Sequence, residues 1–199
     1  MRKIIASVLV LALALVMLTG CGIMAMPINI ALGLMFPESY NTAPSYEGER
    51  KSFSYSGLEI VLTDAFEPSF EYEDVGYYDA DDGTSVAVER LSYGALEIER
   101  GCTDLECADA VRRSITELYG GDSTVRFECT DVGLAENIAS FGYTLSFIAS
   151  VDTLVFVYPT ADSVFAVSIT PPVGKTETYR PYMIEWASSV SYNNANTAA

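Results

Sequence analysis

Histidine is absent from all 199 residues. That excludes Ser-His-Asp and Cys-His nucleophilic catalysis, and any zinc site that uses imidazole. No Gly-x-Ser-x-Gly elbow, phosphate-cradling glycine loop or paired Cys-x-x-Cys motif occurs either, so the common hydrolase, nucleotide and zinc-ribbon chemistries have no carrier. Basic residues are scarce: 11 Lys and Arg stand against 27 Asp and Glu, a formal charge of −16. A surface this acidic repels nucleic acid and anionic lipid headgroups, and neither is expected as a partner. Aromatic residues are plentiful, with 13 Tyr and 9 Phe, which argues for a packed core rather than disorder.

The positive charges that do occur start at the N-terminus. Arg2 and Lys3 precede an apolar run from Ile4 to Leu18, and small residues then lead to Cys21. This is the three-part layout of a secretory signal. The tetrad Leu18-Thr19-Gly20-Cys21 resembles the lipobox of bacterial lipoproteins. That resemblance implies that residues 1–20 are a signal peptide, that Cys21 carries diacylglycerol, and that the chain lives on the extracytoplasmic face of a cell membrane. The competing reading is a transmembrane anchor in which Cys21 is incidental. It persists because Ile4 to Phe36 is free of charge over 33 residues. As one helix that run would be roughly 50 Å long against a hydrocarbon core of about 30 Å, and Pro27 interrupts it. Cleavage before Cys21 divides it more sensibly, leaving residues 21–36 as a lipidated, apolar, membrane-proximal segment. Arg2 and Lys3 stay cytoplasmic on either reading, so the domain lies outside.

Without the signal the chain keeps nine basic residues against 27 acidic ones, a charge of −18. Residues 37–51 are rich in Pro, Ser, Asn, Gly and Glu and read as a flexible tether. A recognition segment around Tyr40 and Tyr46 is the alternative. Residues 52–192 are long enough for one domain with a real core, and 193–199 form a small polar tail.

Periodicity divides the domain. Phe53 and Tyr55, the turn Ser56-Gly57, then Leu58, Ile60 and Leu62 predict a hairpin. Pro68 breaks the alternation, Phe70 to Tyr78 predicts one weak strand, and Ser85 to Leu91 predicts another. Thr103-Asp104-Leu105-Glu106 is a capping box, and Ala108, Val111, Ile115 and Leu118 follow at helical spacing until Gly120-Gly121. Strands are expected at Val125 to Cys129, Phe141 to Phe147, Leu154 to Tyr158 and Phe165 to Ile169, with turns at Ser150-Val151-Asp152 and at 160–163. A second helix is expected from Thr178, with Pro181 in its first turn and Tyr179, Met183, Trp186 and Val190 on one face. The expected fold is therefore α+β: a single antiparallel sheet packed by two helices, at about 103–119 and 179–191.

The opening Tyr55-Ser56-Gly57-Leu58-Glu59-Ile60-Val61-Leu62, the mid-chain helix and the closing helix around Ile184 and Trp186 resemble the PsbP-like and DcrB-like exported domains. The resemblance covers about Phe53 to Tyr192 and implies their topology. It implies no role, since many members are lipoproteins without an assigned one. Thr63-Asp64 stands where that family's opening strand commonly ends in proline.

Two constellations carry chemistry. With Thr103 as N-cap, Cys102 and Cys107 occupy the positions that a hydrophobic staple brings together, so a disulfide is expected there. Pairings of either with Cys129 compete, as do three free thiols. Seven acids between Glu67 and Asp82 interleave with aromatic residues. Within them Asp79, Asp81 and Asp82 before Gly83 form a weak calcium candidate, because oxygen ligands suit that ion. Glycine falls one place too early, however, and Arg90 takes the position of the bidentate glutamate, so a solvated acidic hairpin is favoured. No catalytic residue and no cofactor beyond the lipid on Cys21 is expected. The functional expectation is a lipid-anchored binding or interaction module that meets a protein partner. The alternatives are a histidine-free hydrolase using carboxylates and a stabilising subunit of an envelope complex.

Overall fold

Strand alternation carries through to the backbone in a computed structural model, which describes residues 43–72, 74–121, 125–146 and 149–192. The expectations for Cys21, for the apolar segment and for the tail all lie outside the described residues. Strands β1 (Arg50–Tyr55) and β2 (Leu58–Thr63) form a hairpin. Its two turn residues, Ser56 and Gly57, both have positive φ, the primed geometry that matches strand twist. After a turn at Asp64 and Ala65 come β3 (Phe66–Tyr72), β4 (Val75–Ala80) and β5 (Ser85–Leu91). Helix α1 (Asp104–Tyr119) follows, then β6 (Arg126–Cys129), β7 (Gly133–Ala135), β8 (Ile138–Ser146), β9 (Ser150–Pro159) and β10 (Val164–Thr170). Helix α2 (Thr176–Ser188) and the two-residue β11 (Ser191–Tyr192) close the fold.

The class is α+β with two helices, as expected, but the strands make two sheets where one was expected. Eight form a large sheet in the order β3-β4-β5-β10-β9-β8-β6, with β7 also paired to β8. The other three form a small sheet, β1-β2-β11. The physical reason is packing. The opening hairpin lies on one face of the large sheet instead of extending its edge, and Tyr55 rests where Gly76 leaves room. Ser191 and Tyr192 then pair with β2 rather than with the large sheet.

Two apolar cores result. Between the sheets, Phe53, Ile60, Val88 and Phe165 pack with Tyr179, Met183 and Trp186 of α2. On the other face, Ala108, Val111 and Ile115 of α1 pack against Phe141, Val155 and Val157. Strand β10 lies at the centre and is buried on both faces, which accounts for its unbroken apolar run.

Several local expectations shift. Ser150-Val151-Asp152, expected as a turn, already belongs to β9, where it pairs with the end of β8. Phe70 to Tyr78 is not one strand: β3 and β4 are joined by a hairpin. Pro68 does not end β3, because this is an edge strand, and the register shifts beside that residue. Helix α2 starts at Thr176, so Pro181 lies inside it and removes one helical hydrogen bond. The described part of the expected tether is docked: Ser45 is fully buried and β1 already begins at Arg50.

Candidate functional site

The expected site residues separate in space. Cys102 and Cys107 form a disulfide, with Cα atoms 6.4 Å apart, beside the capping box at the start of α1. Glu106 N–H donates to Thr103 Oγ1 at 3.3 Å, and Thr103 N–H donates to Glu106 Oε2 at 2.7 Å. Cys129 is free. It interacts with Arg112 and Thr116, near the other end of the helix, and burial pushes its thiol pKa up. The calcium candidates do not converge. Asp81 is exposed, Asp79 sits on β4, and Asp82 is buried with both oxygens occupied by donors. Oδ2 accepts from Ser45 N–H at 2.6 Å and from the Tyr179 hydroxyl at 2.5 Å, and Oδ1 accepts from Thr84 N–H at 2.9 Å. A carboxylate already satisfied by donors is a structural acceptor rather than a cation ligand. Among the described residues no group of three or more Asp, Glu or Cys could hold a metal ion.

What the fold brings together instead is a polar row. On the face of the large sheet that carries α1, register sets Asp79 beside Ser85. It sets Ser85 in turn beside Thr170, and Tyr143 beside Thr153. The hydroxyls of Thr153 and Thr170 are 2.9 Å apart, completing the row across five strands. Helix α1 packs on β6, β8 and β9. Two residues along, the next row has Tyr77 beside Ala87 and Ala87 beside Ser168. Glu89 lies one row further on the same strand and face.

Tyr77, Glu89 and Tyr143 share this face, the floor, with the smaller Ala87, Ser168 and Thr170, and Tyr119, from the end of α1, stacks on Tyr143. After burial, the Glu89 carboxylate raises the phenols of Tyr119 and Tyr143, and Tyr119 and Tyr77 add to the rise at Tyr143. The rings of Tyr119, Phe127 and Tyr143 form a set with centroids 5.9 to 6.3 Å apart, which fixes the wall on the helix side.

Glu89 is half-buried, and its pKa is pushed up to about 7, chiefly by burial and secondarily by the Asp74 carboxylate. Burial likewise raises both wall tyrosines. Tyr143 interacts with the Thr153 hydroxyl, which opposes the rise without cancelling it. Two floor atoms, Ser85 Oγ and Asp79 Oδ1, are buried with no hydrogen-bond partner. The arrangement offers acceptors, hydroxyls and aromatic faces, and no lysine or arginine belongs to it.

Sequence reasoning missed this site. Glu89 is one polar residue in an alternating strand, and Thr153 and Thr170 are 17 residues apart. The one local signal was the run of small and hydroxyl residues on the inward positions of β5 and β10.

No family model matches the chain, and no curated protein sequence matches it. Solved structures similar in fold include two of note. One is the solution structure of cyanobacterial PsbP (CyanoP) from Synechocystis sp. PCC 6803, with a TM-score of 0.51 at 9% identity, covering 77% of this chain and 98% of that one. The other is a mutant of the protein Mog1, with a TM-score of 0.50 at 13% identity, covering 76% of this chain and 100% of that one. Identities this low speak for fold alone, and the fold is PsbP-like.

Proposed function

We propose that the protein is a lipid-anchored, extracytoplasmic binding module. Its diacylated Cys21 holds it on a bacterial membrane, and its ligand sits on the tyrosine-walled floor beside α1. The observation that carries the binding reading is the pair of buried polar atoms without a partner among the described residues, Ser85 Oγ and Asp79 Oδ1, on the sheet face that also carries Tyr77, Glu89 and Tyr143, since a ligand that supplies donors satisfies them. The lipobox tetrad and the charge-free run behind Arg2 and Lys3 support the anchor. Two acyl chains with an adjoining apolar segment hold a membrane firmly, whereas one chain binds marginally.

The test has two arms. Full-length protein purified from membranes is compared by native mass spectrometry with Ala87→Leu, which fills the floor. A co-purifying small molecule that is present in the wild type and lost in the variant is expected, and equal complements in both would overturn the binding reading. For the anchor, Cys21→Ala is expected to accumulate a longer, uncleaved precursor, and an unchanged mature mass would overturn it.

A carboxylate-dependent hydrolase is the second reading. The observation that favours it is Glu89, raised to about 7 by burial and by the neighbouring Asp74, since an acid held protonated near a second carboxyl group is a pairing that acid catalysis can use. Turnover of a glycoside or ester panel that is abolished by both Glu89→Gln and Asp74→Asn would select it.

A further inference from the structure

The chemistry of the floor narrows what it can accept. Its polar groups are of one kind: two carboxylates, four hydroxyl side chains and tyrosine rings, with no lysine or arginine on the β4, β5 and β10 positions that share the face. An anion would meet only like charge there. The unpartnered atoms say the same thing independently. Ser85 is 2% exposed, and its Oγ, carried on the floor strand, has no hydrogen-bond partner among the described residues. Asp79 Oδ1, its cross-strand neighbour, is a second buried acceptor without a donor. Leaving buried acceptors unmade is costly, and a guest that brings N–H donors removes the cost.

Spacing supplies the shape. Ser85 and Glu89 share one strand face four residues apart, so the floor runs about 13 Å between them at about 3.3 Å per residue. Asp79 stands beside Ser85 at one end and Glu89 at the other, with Ala87 and Ser168 between. Tyr119 and Tyr143 bound the α1 side, stacked on one another with ring centroids 6.3 Å apart. The acidic protein as a whole concentrates cations near its surface.

We propose that the tyrosine-walled floor binds a small aliphatic amine in its ammonium form, with Glu89 as its counter-charge and Asp79 and Ser85 accepting from a donor at the far end. This rests on the binding reading above and names the class of ligand. Ammonium binding stabilises the ionised carboxylate, so Glu89 gives up its proton as the amine enters. Among the described residues, the other titratable groups facing Glu89 are Asp74, Tyr77, Tyr119 and Tyr143. The carboxylate of Asp74 opposes ionisation of Glu89, and the phenols of Tyr119 and Tyr143, raised by burial, stay protonated through neutral pH. Binding therefore strengthens with rising pH across the neutral range.

The experiment is titration calorimetry on the full-length protein in detergent with three matched four-carbon probes: butane-1,4-diammonium, butane-1,4-diol and succinate. The diammonium is expected to bind and the other two to give no heat. Its affinity should rise about tenfold from pH 6 to pH 8, as an acid of pKa near 7 ionises. Glu89→Gln should weaken it by tenfold or more, with far-UV circular dichroism showing an intact fold. Ser85→Ala, a second and milder variant, should weaken it severalfold. Diol binding as tight as the diammonium, with Glu89→Gln indifferent, would overturn the cation class and leave the binding site standing. Heat from none of the three probes would overturn the amine proposal without touching the anchor or the co-purification result.

Discussion

Tyr179 donates its hydroxyl to Asp82 at 2.5 Å, tying α2 to the β4–β5 turn across 97 residues of chain. The same carboxylate oxygen accepts Ser45 N–H at 2.6 Å, so the segment entering the domain is held at the same point. Ser45 also donates its hydroxyl to Thr84 at 2.8 Å and accepts from Thr63. Tyr46 then stacks on Tyr182 at 4.1 Å and meets Tyr179 edge-on at 5.0 Å. Burial, followed by the Asp82 carboxylate, raises the Tyr179 phenol above its ordinary range, so it stays a donor at working pH.

Asp82→Ala is expected to cost about 3 kcal/mol, because it strands two backbone N–H groups and a phenol in a buried site. Tyr179→Phe removes one donor and leaves the other two, with an expected cost of about 1 kcal/mol. Urea unfolding reads both. In Asp82→Ala, glutamate-specific proteolysis should accelerate at Glu47 and Glu49, since the entering segment loses its main acceptor. Unchanged cleavage there would mean that the segment is held by the tyrosine stack alone.

Gly76 sets how closely the two sheets approach. A Cβ there would lie 2.7 Å from Cδ2 and 2.9 Å from Cγ of the Tyr55 ring, closer than carbon atoms tolerate. Tyr55 is itself buried and cannot swing aside freely. Gly76→Ala should therefore destabilise by about 1–3 kcal/mol, the usual range for overpacking. The paired variant Gly76→Ala with Tyr55→Leu should recover part of the loss, and simple additivity in that cycle would show that the two positions do not meet.

The Cys102–Cys107 bond closes a short loop over the first turn of α1. With a sequence separation of five, the chain-entropy estimate gives about 2 kcal/mol. Reduction should lower the urea midpoint accordingly, and an unshifted midpoint would mean that the capping box suffices without the bond. Intact-mass alkylation of the native domain should add one slow adduct at Cys129, because a thiol raised by burial holds little thiolate at neutral pH. After reduction the domain should take three.

These features were unequally legible in the chain. The capping box at Thr103 and Glu106 and the alternation of Leu58, Ile60 and Leu62 are local signals, because the periodicity that buries one face is written in consecutive residues. Strand β3 was obscured by Pro68, whose harm depends on being central, a fact of sheet order rather than of sequence. The second sheet hinges on a β11 of two residues, too short to show any period. Ser45 looked like tether because its partners, Thr63, Asp82 and Thr84, are 18 to 39 residues away. The floor was the least visible: Asp79, Ser85, Thr170 and Thr153 become neighbours only once the order β4-β5-β10-β9 is set. A polar residue on an inward position reads as a weak strand until its cross-strand partners are known to be polar too.

Glu89 makes stability depend on pH in the direction opposite to that of an ion-paired acid. Its pKa is about 7 in the folded chain against 4.5 for the free group, so between those values the native state holds a proton that the unfolded state has lost. Stability from this group is full below about pH 4.5 and is lost progressively as pH rises through about 7. With partial exposure discounting the shift, the loss should be about 2 kcal/mol by pH 8. Glu89→Gln holds no such proton. It should match the wild type near pH 4.5 and exceed it by about 2 kcal/mol at pH 8, as measured by urea unfolding at both values. A gain from removing a charge would mark Glu89 as a residue kept at the expense of stability, which is the signature of a group retained for binding. Parallel pH curves for the two proteins would place the carboxylate in water and remove the reason to connect it with Tyr119 and Tyr143.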